Sequence, residues 1–319
     1  MAGPAVTIIM RDYDYLAALY GGDVQPDGVQ LTIDRKTPIT QWTSDPSIMV
    51  SEVSFSRFII GLSKGDRSFV GIPFHPTRAF RHRCFFVKRG SALRQLSDLE
   101  GKRVGTNSWP DTGNTWTRAA LRDQGVRIDR IRWWVGPLDE SYPVRAQSGL
   151  PPYVREAPAG KVLRDSLLSG DLDALMCPFP PKGFYEPQGQ IVRLIADYQR
   201  AEREYYDRTK IFPIHHIVAM RREMFERNPQ VAVAIYRALD QTRLYWQKQR
   251  LFMAELTPWV LGDLENTISV MGADWQPSGV SANRHIIKAL CDEETAQGLI
   301  DHPVDPASVF AEFDAVLKT

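Results

Sequence analysis

Short apolar runs bounded by turn residues alternate along this chain with longer stretches of helical periodicity, and that alternation limits what it can fold into. The runs fall at 6–10, 29–33, 48–54, 69–72, 84–87, 103–106, 131–135, 172–177, 191–195 and 212–220. Helix-like stretches lie between them, among them 58–62, closed near Gly65, 115–124, stopped by Gly125, and 161–169, ended by Gly170. After Asn228-Pro229, an N-cap with proline at the first helical position, Val231, Ile235, Leu239 and Thr242 fall on one helix face. Strands alternating with helices predict an α/β protein. The stretch 139–158 is proline-rich and irregular.

A chain of 319 residues has room for two domains. The strand after residues 73–88 and the strand 213–220 read as crossings between them. Residues 90–211 then form one lobe, and 1–89 with 212–319 the other. Two lobes with two crossings predict a ligand cleft between them that closes by hinge motion.

Lys plus Arg number 39 and Asp plus Glu 38, a balance that excludes the strong basic excess of a nucleic-acid binder. No apolar run reaches the roughly 20 residues that cross a membrane. The start, MAGPAVTIIMRDYDY, has no basic segment before its short apolar run and reads as a first strand, not a signal peptide. The three cysteines, Cys84, Cys177 and Cys291, are isolated, which suits a reducing compartment and excludes a CxxC site. A cytoplasmic protein is expected.

Four places carry candidate chemistry. Residues 73–88, PFHPTRAFRHRCFFVK, gather Arg78, Arg81, Arg83, His75 and His82 ahead of an apolar run. Arginine grips a carboxylate with two parallel hydrogen bonds, and histidine moves protons near neutral pH. Ordinary surface cations beside a buried strand fit the same pattern, and Arg83 reads as solvent-facing. Asp12 and Asp14 follow the first strand at the end where open α/β sheets bind ligands, although capping the next helix or facing solvent suits aspartates there better. Glu52, Ser54 and Ser56 close the third strand. The loop 107–114, with Asn107, Trp109 and Thr112, joins a strand to a helix N-terminus, a geometry that favours anions. It is neither GxGxxG nor GxxxxGK[ST], so dinucleotide and P-loop readings are rejected. A plain βα turn remains the alternative. His215 and His216 are adjacent on a strand, face opposite sides and cannot both hold one metal.

Asp12-Tyr13-Asp14, Ser51-Glu52-Val53-Ser54, Arg78-Ala79-Phe80-Arg81-His82, Ala201-Glu202-Arg203-Glu204-Tyr205-Tyr206 and Phe212-Pro213-Ile214 followed by His216 resemble, in matching order, the 4,5-dihydroxyphthalate decarboxylase family. The resemblance implies a two-lobed, type 2 periplasmic-binding-protein-like fold. It implies a carboxy-lyase acting without a cofactor on a hydroxylated aromatic acid of the phthalate or benzoate type. On this reading His216 or His82 donates a proton, His216 being preferred because its strand is otherwise apolar. Glu52 or Asp14 accepts from a ring hydroxyl. Arg78 and Arg81 hold carboxylate, with Ser54 among the substrate contacts. Thr112 and the loop of Asn107 and Trp109 bind a second anionic group, and Arg284 is a further clamp. A divalent metal on His82, His216 and Glu52 is the weaker alternative, since no HxxxH or HxH spacing supports it. Tyr15, His215 and Ser278 stand where the family pattern has Arg, Met and Tyr, departures that bear on substrate identity. The expected partner is a small aromatic carboxylate, with no nucleic acid or membrane, in a homo-oligomer. A non-catalytic solute receptor and a biosynthetic enzyme on another aromatic acid are the competing readings.

Overall fold

The computed structural model describes residues 3–140 and 149–318. The chain divides into two compact units: 1–78 with 214–291 and 304–319, and 79–213 with 292–303.

The first unit is built on a five-stranded sheet. Its strands are β1 (Ala5–Ile9), β2 (Gln30–Asp34), β3 (Val50–Ser54), β4 (Phe69–Ile72) and β11 (His216–Arg221), in the order β2-β1-β3-β11-β4. β1 runs parallel to β2 and β3, and β11 runs antiparallel to β3 and β4. Strands buried on both faces read as continuous apolar runs, which is how 69–72 and 217–220 read. Val6, Ile8, Val50, Ile72, Val218 and Met220 pack with Val231, Ile235 and Leu239 of the helix Pro229–Met253. Pro229 opens that helix, but the Asn228 side chain makes no capping hydrogen bond, so the start rests on the proline's fixed φ.

The second unit carries a six-stranded sheet, β10-β5-β9-β6-β7-β8. Its strands are β5 (Phe85–Lys88), β6 (Arg103–Thr106), β7 (Arg132–Val135), β8 (Val154–Glu156), β9 (Ala174–Met176) and β10 (Ile191–Arg193). β5 pairs antiparallel with β9 and β10, so residues 79–89, expected with the first unit, belong to the second. Residues 292–303 join it as well, a departure from the expected boundaries. Part of the irregular stretch 139–158, residues 141–148, lies outside the described residues.

Arg118 explains why 292–303 belongs there. It lies on the helix Thr112–Asp123 with no exposure. Its Nε donates to Gln297 Oε1 at 2.7 Å and a terminal nitrogen donates to Trp109 O at 2.8 Å. The guanidinium carbon lies 3.9 Å from the Trp109 ring centroid, a cation–π contact. Burial lowers its pKa to about 10, with the charge of Glu294 the largest opposing effect, so it stays charged at neutral pH. Arg118→Ala removes these charge-assisted bonds and strands their acceptors. A loss of about 3 kcal/mol is expected, read as a lower denaturant midpoint.

Candidate functional site

Glu52 lies within β3 and has no solvent exposure. The register places Glu52 opposite Val218 and His216 opposite Ser54. Side chains two residues apart on a strand share a face, so Glu52 and His216 are diagonal neighbours across β3 and β11, within reach of long side chains. The Glu52 carboxylate accepts from His216 Nδ1 through Oε1. The same oxygen accepts from the Tyr13 hydroxyl at 2.6 Å, and Oε2 accepts from the Arg11 backbone N–H at 2.9 Å. Arg11 and Tyr13 lie just past the C-terminal end of β1, which sits beside β3.

Burial alone pushes the Glu52 pKa up. The hydrogen bond and charge of His216, the Tyr13 hydroxyl and the Arg11 N–H outweigh it, and the net shift is downward. Tyr13 moves the opposite way: burial, then the charge of Glu52 and the hydrogen bond to it, hold the phenol protonated. With Nδ1 committed to Glu52, Nε2 is the imidazole nitrogen left to face a ligand. The His216 side chain retains 13% exposure. The backbone around it is tied down by Phe55 N–H to His215 O at 3.0 Å and His215 N–H to Thr77 O at 3.0 Å.

Tyr13 stacks on Tyr15, with ring centroids 5.2 Å apart and planes at 7°. Tyr15 is fixed by its hydroxyl to Pro76 O at 3.0 Å, and Thr242 Oγ1 donates to its carbonyl at 2.9 Å. Arg78 donates to Pro277 O at 2.6 Å and to Asn283 Oδ1 at 2.7 Å. Asn283 Nδ2 in turn bonds Pro277 O and Gly279 O. Arg78 thereby anchors the loop around Gly279, whose φ of 84° suits glycine.

Several expected site residues lie elsewhere. Asp14 is exposed, 4.0 Å from Arg250, because it starts a 3-10 turn that points its side chain outward; its neighbour Tyr13 bonds Glu52 instead. Asp12 pairs with Arg35 at 2.9 Å and caps no helix. Arg284 is exposed at the start of the helix Arg284–Ala296, and its neighbour Asn283 makes the buried contacts instead.

In the second unit, Arg81 is buried, and its guanidinium lies against the first turn of the helix Thr112–Asp123. A Cβ on Gly113 would come within 2.6 Å of its terminal nitrogen, so any side chain there would displace the guanidinium. Thr112 is buried in that turn. Asn107 accepts from Asn114 Nδ2 at 3.2 Å, and Asn114 also bonds Ser108 O at 2.7 Å, which fixes the loop. The helix starts at Thr112, three residues before its expected start. Trp109 is a core side chain, edge-on to Trp133 and under Arg118, and is not a pocket wall. His82 packs beside Tyr205 with ring centroids 5.3 Å apart, and burial lowers its pKa to about 4. Neutral at pH 7, it is a poor proton donor. Among the described residues, no group of three His, Cys, Asp or Glu side chains is placed to hold a metal ion.

Tyr13, the Arg11 N–H and Asn283 are the contributors missed by sequence reasoning. Tyr13 lies between Asp12 and Asp14, and that pattern draws attention to its carboxylates.

No described family profile matches the chain. Over 318 residues the chain is 29% identical to the 4,5-dihydroxyphthalate decarboxylase of Comamonas testosteroni, covering 96% of each. Over 208 residues it is 27% identical to that of Pseudomonas putida, covering 63% of this chain and 81% of the relative. Among solved structures it resembles the periplasmic aliphatic sulphonate binding protein SsuA from Escherichia coli, with a TM-score of 0.53, 14% identity and coverage of 95% and 96%. It resembles the desulfurization enzyme DszB with a TM-score of 0.50, 14% identity and coverage of 98% and 99%. These likenesses establish the expected periplasmic-binding-protein-like α/β fold. One neighbour is a binding protein and the other an enzyme, so the fold does not choose between those functions.

Glu202 offers a pH test of the second unit. It is buried on the helix Tyr198–Thr209, 4.0 Å from Arg83. Burial raises its pKa to about 7, against the opposing charges of Arg83, Arg193 and Arg81. The folded state therefore holds a proton that the unfolded chain releases near pH 4.5. Its contribution to stability is full below about pH 4.5 and is lost as pH rises through about 7. Thermal midpoints measured from pH 5 to 8 should fall in the parent protein, and Glu202→Gln should flatten that slope.

Proposed function

We propose that this chain, 29% and 27% identical to two 4,5-dihydroxyphthalate decarboxylases, is a carboxy-lyase that removes CO2 from a hydroxylated aromatic acid, with His216 as the proton donor. The observation that carries this reading is the buried Glu52 beneath His216 at the strand ends. Loss of CO2 from a benzene ring leaves an electron pair on carbon. A hydroxyl ortho or para to the carboxylate lets the ring accept a proton first at the carbon that bears it. The resulting cation, a protonated dienone whose charge the hydroxyl oxygen shares, then breaks the C–C bond to its carboxylate, CO2 leaves, and the bond's electrons restore the aromatic ring with its hydroxyl intact. That chemistry needs no cofactor, because the hydroxyl supplies the electron push.

The enzyme must supply an acid at the ring carbon and an acceptor at the hydroxyl. His216, held through Nδ1, presents Nε2–H as the acid. Glu52 is engaged by three donors and acts as the positioning residue that stabilises the imidazolium, in place of its expected contact with a ring hydroxyl. The Tyr13 hydroxyl donates a hydrogen bond to Glu52 and keeps a lone pair to accept one from a ring hydroxyl. Ser54, opposite His216 in the register, is a proposed substrate contact. Arg81, Thr112 and the loop of Asn107 are proposed to bind an anionic group. Arg78 is proposed to act through the loop it anchors.

A screen of hydroxylated benzoates and phthalates for CO2 release, with and without chelator, tests the reaction. Turnover is expected to be unchanged by chelator. His216→Ala is expected to lower turnover by about 10²–10⁴-fold while binding persists; near-normal turnover would overturn the assignment. His82→Ala should change turnover far less. Gly113→Ala, which displaces Arg81, should raise KM more than it lowers kcat. The competing reading, a solute receptor, is favoured only by the likeness to the sulphonate binding protein. Tight binding of an aromatic acid with no product by mass spectrometry would support it.

A further inference from the structure

The helix Pro229–Met253 is buried in its first half through Val231, Ile235, Leu239 and Thr242, and then leaves the core. Leu244, Tyr245 and Leu251 are exposed, followed by Phe252 at 75% and Met253 at 56%. A turn carries Leu256 at 84% and Trp259 at 87% exposure. The helix Val260–Met271 follows and contains no buried residue. Trp259 also has a φ of 65°, in the left-handed region that a bulky residue occupies at a cost of about 1–2 kcal/mol. Of the twelve exposed large apolar side chains among the described residues, nine lie within 244–271, and a concentration of that kind marks an interaction surface rather than the scattered exposure of an ordinary monomer.

Charge indicates what covers it. The end of the first helix carries Lys248 and Arg250, whereas the second carries Asp263 and Glu265 and no Lys or Arg. An acidic helix opposes adsorption to an anionic membrane. A two-fold interface must be complementary to itself, and this arm contains both an apolar surface and charges of both signs.

We propose that residues 244–271 form a docking arm for a second copy of this chain. Two arms pair antiparallel about a two-fold axis. Phe252, Leu256 and Trp259 are buried between them, and Lys248 of one copy faces Asp263 and Glu265 of the other. Trp259 is held in a strained, exposed conformation because its partner lies on the other copy.

Sedimentation and light scattering over a concentration series test this with the full chain. The parent protein should form a dimer or an even-numbered assembly of dimers. Phe252→Ser with Trp259→Ser should raise the dissociation constant at least about tenfold, as truncating aromatic anchors does. Lys248→Glu, an exposed change that leaves the fold intact, should also weaken association, and Glu265→Lys in the same chain should restore it. A parent protein that stays monomeric overturns the proposal. So does an assembly that survives both sets of changes, or one in which Glu265→Lys fails to restore association. Binding of the monomer to lipid vesicles through the same residues would assign the arm to a membrane instead and also overturn it.

Discussion

A carboxylate with no access to water is unfavourable unless donors surround it. Glu52 has three such donors from two separated stretches: a hydroxyl and a backbone N–H from the segment after β1, and an imidazole from β11. Each contact requires the sheet to be assembled in its observed order. β1 must lie beside β3 for Arg11 and Tyr13 to reach, and β11 must lie on the other side for His216 to do so. The buried charge thus ties the register of three strands to one functional group. It also sets the tautomer of His216, since an ionised Glu52 can only accept.

The second unit uses buried cations where the first uses a buried anion. Arg118 is enclosed by an amide, a carbonyl and an indole face, and it secures a distant segment of the chain. Arg81 is also buried, but it lies against a helix N-terminus stripped of side chain at Gly113. The second arrangement places a cation beside a helix end, where both favour an anion.

Alternating apolar runs were enough to identify the α/β class and most strands, because burial on both faces leaves a pattern that composition preserves. The motif around Arg81 and the strand of His216 were also legible. The pairing of Glu52 with His216 was not, because 164 residues separate them and only the register brings them to one face. The exposure of Asp14 and Arg284 was not legible, because charge is visible in a sequence and burial is not. The burial of Trp109 was hidden for a related reason: its position in the loop suggested a pocket wall, whereas its indole packs in the core beneath Arg118. The boundary near residue 79 was hidden because whether β5 belongs to one sheet or the other depends on its partners, β9 and β10, both far along the chain.

The position of β11 between β3 and β4 has a consequence for biosynthesis. The strands of the second unit all lie within residues 85–193 and can pair as soon as that stretch has emerged. β3 and β4 are not neighbours, and the slot between them stays open until β11, far downstream, has been made. At roughly 5–20 residues per second, that exposes two apolar strand edges for on the order of ten seconds. The nascent chain is therefore most exposed to mispairing while its second unit is already assembling. The strand that closes the gap begins with His216, so the sheet and its candidate proton donor are completed together, and a chain released early lacks both.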